Sequence, residues 1–243
     1  METYTLITGA SSGMGAVCAK RFSSTHKLIM ASENMEALQQ VLSECDYPEN
    51  HILWHCNFAE ERGQILESLR SLLVEHDAVI DQYVHFAGMT QILPFKDFDN
   101  AAVDRIFNVN FFSIVEVLRT LLKRYNKKAL RNVVLISALV SQRGNIGNSI
   151  YAASKGAINS LVYTLSQELA PSVRINALMP GALETPMTRN LNAEYKQAMA
   201  DATPLGLGEM DDVVNYVEFL LSDKARWITG QTIYVDGGLS TKC

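Results

Sequence analysis

The sequence predicts one doubly wound α/β domain, a parallel sheet of about seven strands with helices on both faces. Short β-branched runs alternate with longer amphipathic segments from one end of the 243 residues to the other. The short runs are apolar nearly throughout, as strands are when helices cover both sheet faces. No repeat, low-complexity tract or linker breaks the alternation, so residues 1–243 are assigned to a single domain. Strands separated by helical segments of about ten residues or more pair in parallel through right-handed crossovers.

The first strand is YTLITG (4–9), with a helix over 13–24. KLIMA (27–31) is the second, and its helix covers 34–44. HILWHC (51–56) forms the third, followed by a helix over 60–75. VIDQYVHFAG (79–88) holds the fourth, and a long helical region runs from 97 to 125. NVVLIS (132–137) is the fifth; the helix over 149–169 stops before Pro171, which cannot continue it. VRINALMP (173–180) is the sixth strand. A helix over 209–221 then leads to the last, GQTIYVDGG (230–238).

At 48% hydrophobic and 19% charged, the chain can bury a large core and carries no disorder signature. A formal charge of −5 argues against a dedicated nucleic-acid binder. The basic run Lys123, Arg124, Lys127, Lys128 and Arg131 reads as a solvated helix end and loop. Cys18, Cys45, Cys56 and Cys243 lack paired spacing and no signal peptide precedes them, so reduced thiols in the cytoplasm are expected. No apolar run reaches the ~18 residues that a membrane span needs. His51 and His55, followed by Cys56, have no further ligand at a useful spacing, and no metal is expected.

TGASSGMG (8–15) lies at the first strand–helix junction, and its physical content is a turn that no side chain obstructs. Gly9 can take a φ that other residues resist, Gly13 lets a pyrophosphate approach the backbone, and Gly15 permits close helix–strand packing. With Ser11, Ser12 and Met14 they form a Rossmann-type cradle, where free N–H groups and the positive end of a helix meet an anion. A P-loop is excluded because no Gly-Lys-Ser/Thr closes the turn. At the end of strand two, where an adenosine ribose is read, Ala31 and Ser32 replace the usual carboxylate. Ser32 and Asn34 can donate to a 2′-phosphate; Glu33 opposes one if it turns inward, and no arginine is supplied. NADP is therefore expected over NAD. Asn57 and Phe58, after strand three, are placed near the adenine, and a loop-capping role fits Asn57 equally.

The chain resembles the short-chain dehydrogenase/reductase family over essentially its full length. TGASSGMG (8–15), HFAG (85–88), NVN (108–110), YAASK (151–155), PGALET (180–185) and VDGG (235–238) stand in that family's order and spacing. Among its members the chain looks most like 3-oxoacyl-(acyl-carrier-protein) reductases. The resemblance implies an NAD(P)-dependent oxidoreductase that moves a hydride between nicotinamide and a ketone or secondary alcohol. Tyr151 would exchange the proton on the substrate oxygen, Lys155 would bond the nicotinamide ribose, and Asn110 would hold a water linking Lys155 to solvent. Ala87 and Gly88 would flank the cofactor. Pro180 and Gly181 would turn the chain past strand six, so that Leu183 and Thr185 meet the nicotinamide amide. Residues 187–208 would form a lid over the substrate, in which Met187, Leu191, Tyr195 and Met199 suit either a partly hydrophobic ligand or packing on the domain. The small residues Ala152, Ala153, Gly156, Ala157 and Ser160 would build a homodimer, usually within a homotetramer.

Helical spacing puts Tyr151 and Lys155 on one face. A free tyrosine titrates near 10, and a neighbouring ammonium favours its phenolate; lowering it by about 3 pH units corresponds to roughly 4 kcal/mol. His85 and Phe86 replace the family's usual asparagine pair, and His85 reads as a hydrogen-bonded structural histidine. The family's serine, thirteen residues before the tyrosine, is here Ala138, whether native or introduced. Losing one preorganised donor costs about 10²–10³ in rate, so weakened activity is expected. Ser137 would point to the opposite sheet face, while Ser141 could swing in from the loop. Lys127, Lys128 and Arg131 could dock a carrier protein, although Gln167 and Glu168 stand where such enzymes often place an arginine. Two readings stay open: a working ketone reductase, and a lapsed dinucleotide-binding protein acting as a cofactor sensor or assembly partner.

Overall fold

The computed structural model describes residues 2–185 and 193–241, apart from the side chain of Tyr195. Strands β1 (Glu2–Thr8), β2 (Leu28–Ser32), β3 (Ile52–His55), β4 (Ala78–His85), β5 (Asn132–Ile136), β6 (Arg174–Pro180) and β7 (Thr232–Val235) form one sheet. Its order is β3-β2-β1-β4-β5-β6-β7, and every pairing is parallel. Helices α1 (Gly13–Phe22), α2 (Met35–Ser43), α3 (Ile65–Glu75), α4 (Asn100–Phe107) and α5 (Ser113–Leu121) come from the first half. The second half adds α6 (Val140–Arg143), α7 (Ser149–Glu168), α8 (Ala193–Ala202) and α9 (Met210–Leu221).

Two hydrophobic layers explain why the strands are apolar on both sides. Leu6, Ile29, Val133 and Ala177 face α3, α5 and α7, meeting Leu69, Val117 and Ile158. Their chain neighbours Ile7, Leu28, Val134 and Leu178 face the other way, toward Phe22, Leu38 and Val217 of α1, α2 and α9. Each such side chain, fully buried, contributes about 1.5–3 kcal/mol.

The element order follows the sequence reading, with local departures. The helical region over 97–125 is two helices joined by a π-helical turn, Asn108–Phe112. One extra residue in a turn barely disturbs a polarity pattern, so periodicity did not reveal it. The helix over 60–75 begins with a 3₁₀ turn, Arg62–Gln64. The lid region contains α8, and the single turn α6 follows β5. Met187 and Leu191 lie outside the described residues. No helix among the described residues is long and apolar enough to cross a membrane.

β1 sits between β2 and β4, so the chain leaves it toward opposite sides of the sheet. A crevice therefore opens at the carboxyl ends of the strands there.

Candidate active site

That crevice is a cleft of about 760 Å³. Its floor at β1 is the glycine turn. Gly9 has φ +69°, and a Cβ there would stand 2.6 Å from the Ala87 nitrogen. A Cβ on Gly15 would lie 2.2 Å from the Gly9 carbonyl oxygen. Both obstacles are backbone, so no rotamer relieves them. The turn delivers the chain into α1, whose N-cap Ser12 makes no side-chain cap bond and whose first turn holds no acid. Ser11, Ser12, Gly13, Met14 and Gly15 all line the cleft. The cradle and the uncapped helix end fit a pyrophosphate, because orphan N–H groups and the positive dipole end converge on an anion there.

At the ribose end, Ser32 Oγ donates to Ser11 Oγ at 2.7 Å and accepts the Asn34 N–H at 3.1 Å. Asn34 Oδ1 accepts the Ala37 N–H at 2.9 Å and caps α2, a task that leaves its Nδ2 donors unspent. Glu33 lines the cleft, the one carboxylate to do so among the described residues. For Asn57 the loop-capping reading is the one observed. Its Oδ1 accepts the Ala59 N–H at 3.0 Å, closing the loop, and Cys56, Phe58 and Ala59 line the cleft in its place. Ala87, Gly88, Pro180, Gly181, Leu183 and Thr185 line it toward the other end.

That other end holds Tyr151, in the first turn of α7, and Lys155 one turn later. Lys155 is 3% exposed, and its Nζ donates to the Ile136 carbonyl at 2.8 Å. Gly88 makes room for it: a Cβ there would come within 3.3 Å of Nζ and 3.5 Å of Asn110 Oδ1. Asn110 is buried in the π-helical turn and stands behind the cleft wall. Its Oδ1 accepts the Met89 N–H at 2.8 Å; its Nδ2 donates to the Met89 carbonyl and to Ser154 Oγ, each at 2.9 Å. Ser154 Oγ in turn donates to the Tyr151 carbonyl at 2.7 Å. Asn110 thus clamps the strand end beside Gly88 to the first turn of α7.

The protonation balance runs opposite to the sequence expectation. Burial pushes the Tyr151 phenol up to about 12, instead of an ammonium drawing it down. Burial also lowers Lys155 to about 8. The reason is geometric: Nζ is bonded to a backbone carbonyl and lies 5.8 Å from the centre of the Tyr151 ring. Desolvation of both groups outweighs their mutual attraction.

His85 is fully buried, with Nδ1 2.8 Å from Thr8 Oγ1 and 2.7 Å from the Tyr83 hydroxyl. Burial, helped by the Lys155 charge, holds it at about 3, so the ring is a neutral tie between β1 and β4.

Ala138 lines the cleft together with Tyr151. Neither neighbouring hydroxyl replaces its missing one. Ser137 Oγ donates to the Lys155 carbonyl at 3.0 Å, and Ser141 Oγ donates to the Ala138 carbonyl at 2.7 Å. Ser141 also accepts from Asn159 Nδ2 at 2.9 Å, which pins it away from the cleft. Two polar side chains that the sequence reading passed over do line the cleft, Arg105 and Asn145. The signal for Asn145 was its place between Gly144 and Gly147 in the loop leading to Tyr151.

Residues 9–240 match the family model described as Enoyl-(Acyl carrier protein) reductase. A 3-oxoacyl-(acyl-carrier-protein) reductase of Thermotoga maritima is 30% identical, the alignment covering 96% of each chain. An L-xylulose reductase of Bos taurus is 29% identical, over 96% of this chain and 94% of that one. A solved short-chain dehydrogenase/reductase from Brucella melitensis superposes with a TM-score of 0.88 at 30% identity, covering 98% of this chain and 96% of that one. A 4-hydroxyisoleucine dehydrogenase complexed with NADH shares the fold at a TM-score of 0.91 and 23% identity, covering 100% of each chain. A glycine cradle on an uncapped helix, a buried lysine one turn past a cleft-facing tyrosine, and a family match spanning nearly every residue converge: the chain belongs to the short-chain dehydrogenase/reductase family and is an NAD(P)-dependent oxidoreductase.

Proposed function

We propose that the cleft reduces a ketone to a secondary alcohol, with Tyr151 giving up the proton that the new hydroxyl requires. The observation that carries this reading is the half-buried Tyr151 phenol, kept neutral by desolvation, in the cleft that the glycine turn opens. A nicotinamide dinucleotide supplies the hydride when bound. Gly9, Ser11, Ser12, Gly13, Met14 and Gly15 hold its phosphates, and Ser32 and Phe58 its adenosine. Lys155 bonds the nicotinamide ribose, and its charge favours the phenolate that proton release leaves. Asn110 is a positioning residue that keeps Met89 and α7 in register. Tyr151→Phe is expected to lower turnover by at least about 10³ while leaving dinucleotide affinity within about twofold, since only the transferable proton is lost. Retained turnover in that variant would refute the relay.

The substrate we infer is a 3-oxoacyl compound rather than a polyhydroxylated ketone. Support comes from the walls beside Tyr151: Ile136, Leu139, Val140, Met199 and Leu239 are apolar and offer a sugar few partners. Exposed Lys127, Lys128 and Arg131 supply a basic surface for an acyl carrier protein. Open space around Gly156 on α7 suits a closely approaching second copy and supports the homodimer or homotetramer we propose. A side-by-side screen of 3-oxoacyl thioesters and pentuloses tests the substrate; faster reduction of the sugars overturns it.

For the cofactor we propose NADPH over NADH, on the absence of a carboxylate at Ala31 and Ser32. Glu33 narrows that preference. The rival reading, a dinucleotide-binding protein without turnover, draws on Ala138 and the two engaged serines; it requires nucleotide binding with no ketone reduced.

A further inference from the structure

We infer that Asn145 supplies the hydrogen-bond donor to the substrate's carbonyl oxygen that Ala138 lacks. This rests on the ketone reduction proposed above. The segment that carries Asn145 joins the strand end at Ala138 to the helix of Tyr151, and all three residues line the one cleft. Its backbone is held. Gly144 and Gly147 take φ +67° and +81°, the Gly147 carbonyl accepts the Leu93 N–H at 3.1 Å, and the Asn145 carbonyl accepts the Asn148 N–H at 3.1 Å.

The hydroxyls beside Ala138 in the chain and the Lys155 amine are already engaged, and Arg105, the other polar side chain noted in the cleft, belongs to α4 rather than to this segment. The hydroxyl of Ser137 is spent on the Lys155 carbonyl, and that of Ser141 on the Ala138 carbonyl. Lys155 Nζ is bonded to Ile136 and reserved for the ribose. Asn145 lines the cleft, and its side-chain amide takes no partner among the described residues. An amide Nδ2 has two donors, so it can bond a carbonyl oxygen while Tyr151 protonates it. In the step, hydride adds to the carbonyl carbon, the C=O π pair moves to oxygen, and the Tyr151 proton joins that oxygen. Asn145 keeps its proton throughout and stabilises the charge developing on oxygen.

The test uses ethyl acetoacetate and an acetoacetyl thioester as probes with the full chain. Asn145→Ala should lower kcat about 10²-fold, the effect of deleting one preorganised donor. Asn145→Asp, which offers acceptors at the same place, should lose at least as much. NADPH affinity, read by fluorescence, should stay as in the parent protein. The decisive arm is non-additive: Ala138→Ser should restore the Asn145→Ala protein by more than about tenfold and raise the parent by a smaller factor, because the two donors serve one oxygen. A purely structural asparagine would give no such rescue. Equal gains from Ala138→Ser in both backgrounds, or parental kcat in Asn145→Ala, overturn the inference. Turnover that appears only with Ala138→Ser does so as well. If Tyr151→Phe still turns over, the relay fails instead, which separates the two claims.

Discussion

The two ends of the cleft are built on different principles. At the phosphate end the shape is made of backbone: Gly9 and Gly15 pack where any Cβ would strike main-chain atoms within 2.6 Å and 2.2 Å. At the catalytic end it is made of side chains whose hydrogen bonds come from distant segments, such as Lys155 to Ile136 and Asn110 to Met89. Backbone sterics tolerate no adjustment, so the first end is all-or-none. A side-chain network can be retuned one group at a time, as Ala138 already illustrates.

That contrast can be broken most forcefully at its rigid end. Gly15→Ala should destabilise the fold by about 3 kcal/mol or more and abolish dinucleotide binding, read by thermal unfolding and titration. Gly88→Ala is its control at the other end, where the added methyl meets the flexible tip of Lys155 at 3.3 Å. It should lose turnover while weakening cofactor binding far less than Gly15→Ala does. Equal damage from both would erase the distinction.

The next effect concerns the buried amine. Lys155 titrates at about 8 in the fold, against an ordinary value of 10.5. Below about 8 both folded and unfolded chains carry the charge, and the fold bears the full desolvation penalty. Between 8 and 10.5 only the unfolded chain holds that proton, so this group makes stability rise with pH. Tyr151, raised to about 12, has the opposite slope above its ordinary value of 10. Lys155→Met should therefore be more stable than the parent below pH 8, by on the order of 3 kcal/mol, with the gap closing as pH approaches 10. Denaturant melts at pH 7 and 9.5 check it; a pH-independent gap would show that the amine is hydrated.

The smallest effect sharpens the ribose end, the one stretch of the phosphate side read by side chains. Glu33→Gln should favour NADPH over NADH by a further fivefold or so, the effect of removing about 1 kcal/mol of charge repulsion near the surface. Competitive titration of the two nucleotides measures it, and an unchanged ratio would place the 2′-phosphate away from Glu33.

Legibility in the sequence follows the same division. The strand–helix alternation, the glycine turn and the Tyr151–Lys155 spacing were readable because each is set within a few residues by steric rules and periodicity. Asn57 and Asn34 were not: a short polar side chain can cap its own loop or helix as readily as it faces a ligand, and only the backbone path shows which. Ser141 is a similar case, held by the Ala138 carbonyl and by Asn159 from another helix. The π-helical turn around Asn110 was invisible because it leaves the polarity pattern intact.

By itself, then, the sequence determined the sheet, its crevice and the shared helix face of Tyr151 and Lys155, since local geometry and burial pattern dictate those. The tertiary structure alone decided which protonation states those groups hold and where each spare hydroxyl goes. Both depend on desolvation and on partners that folding brings from remote parts of the chain.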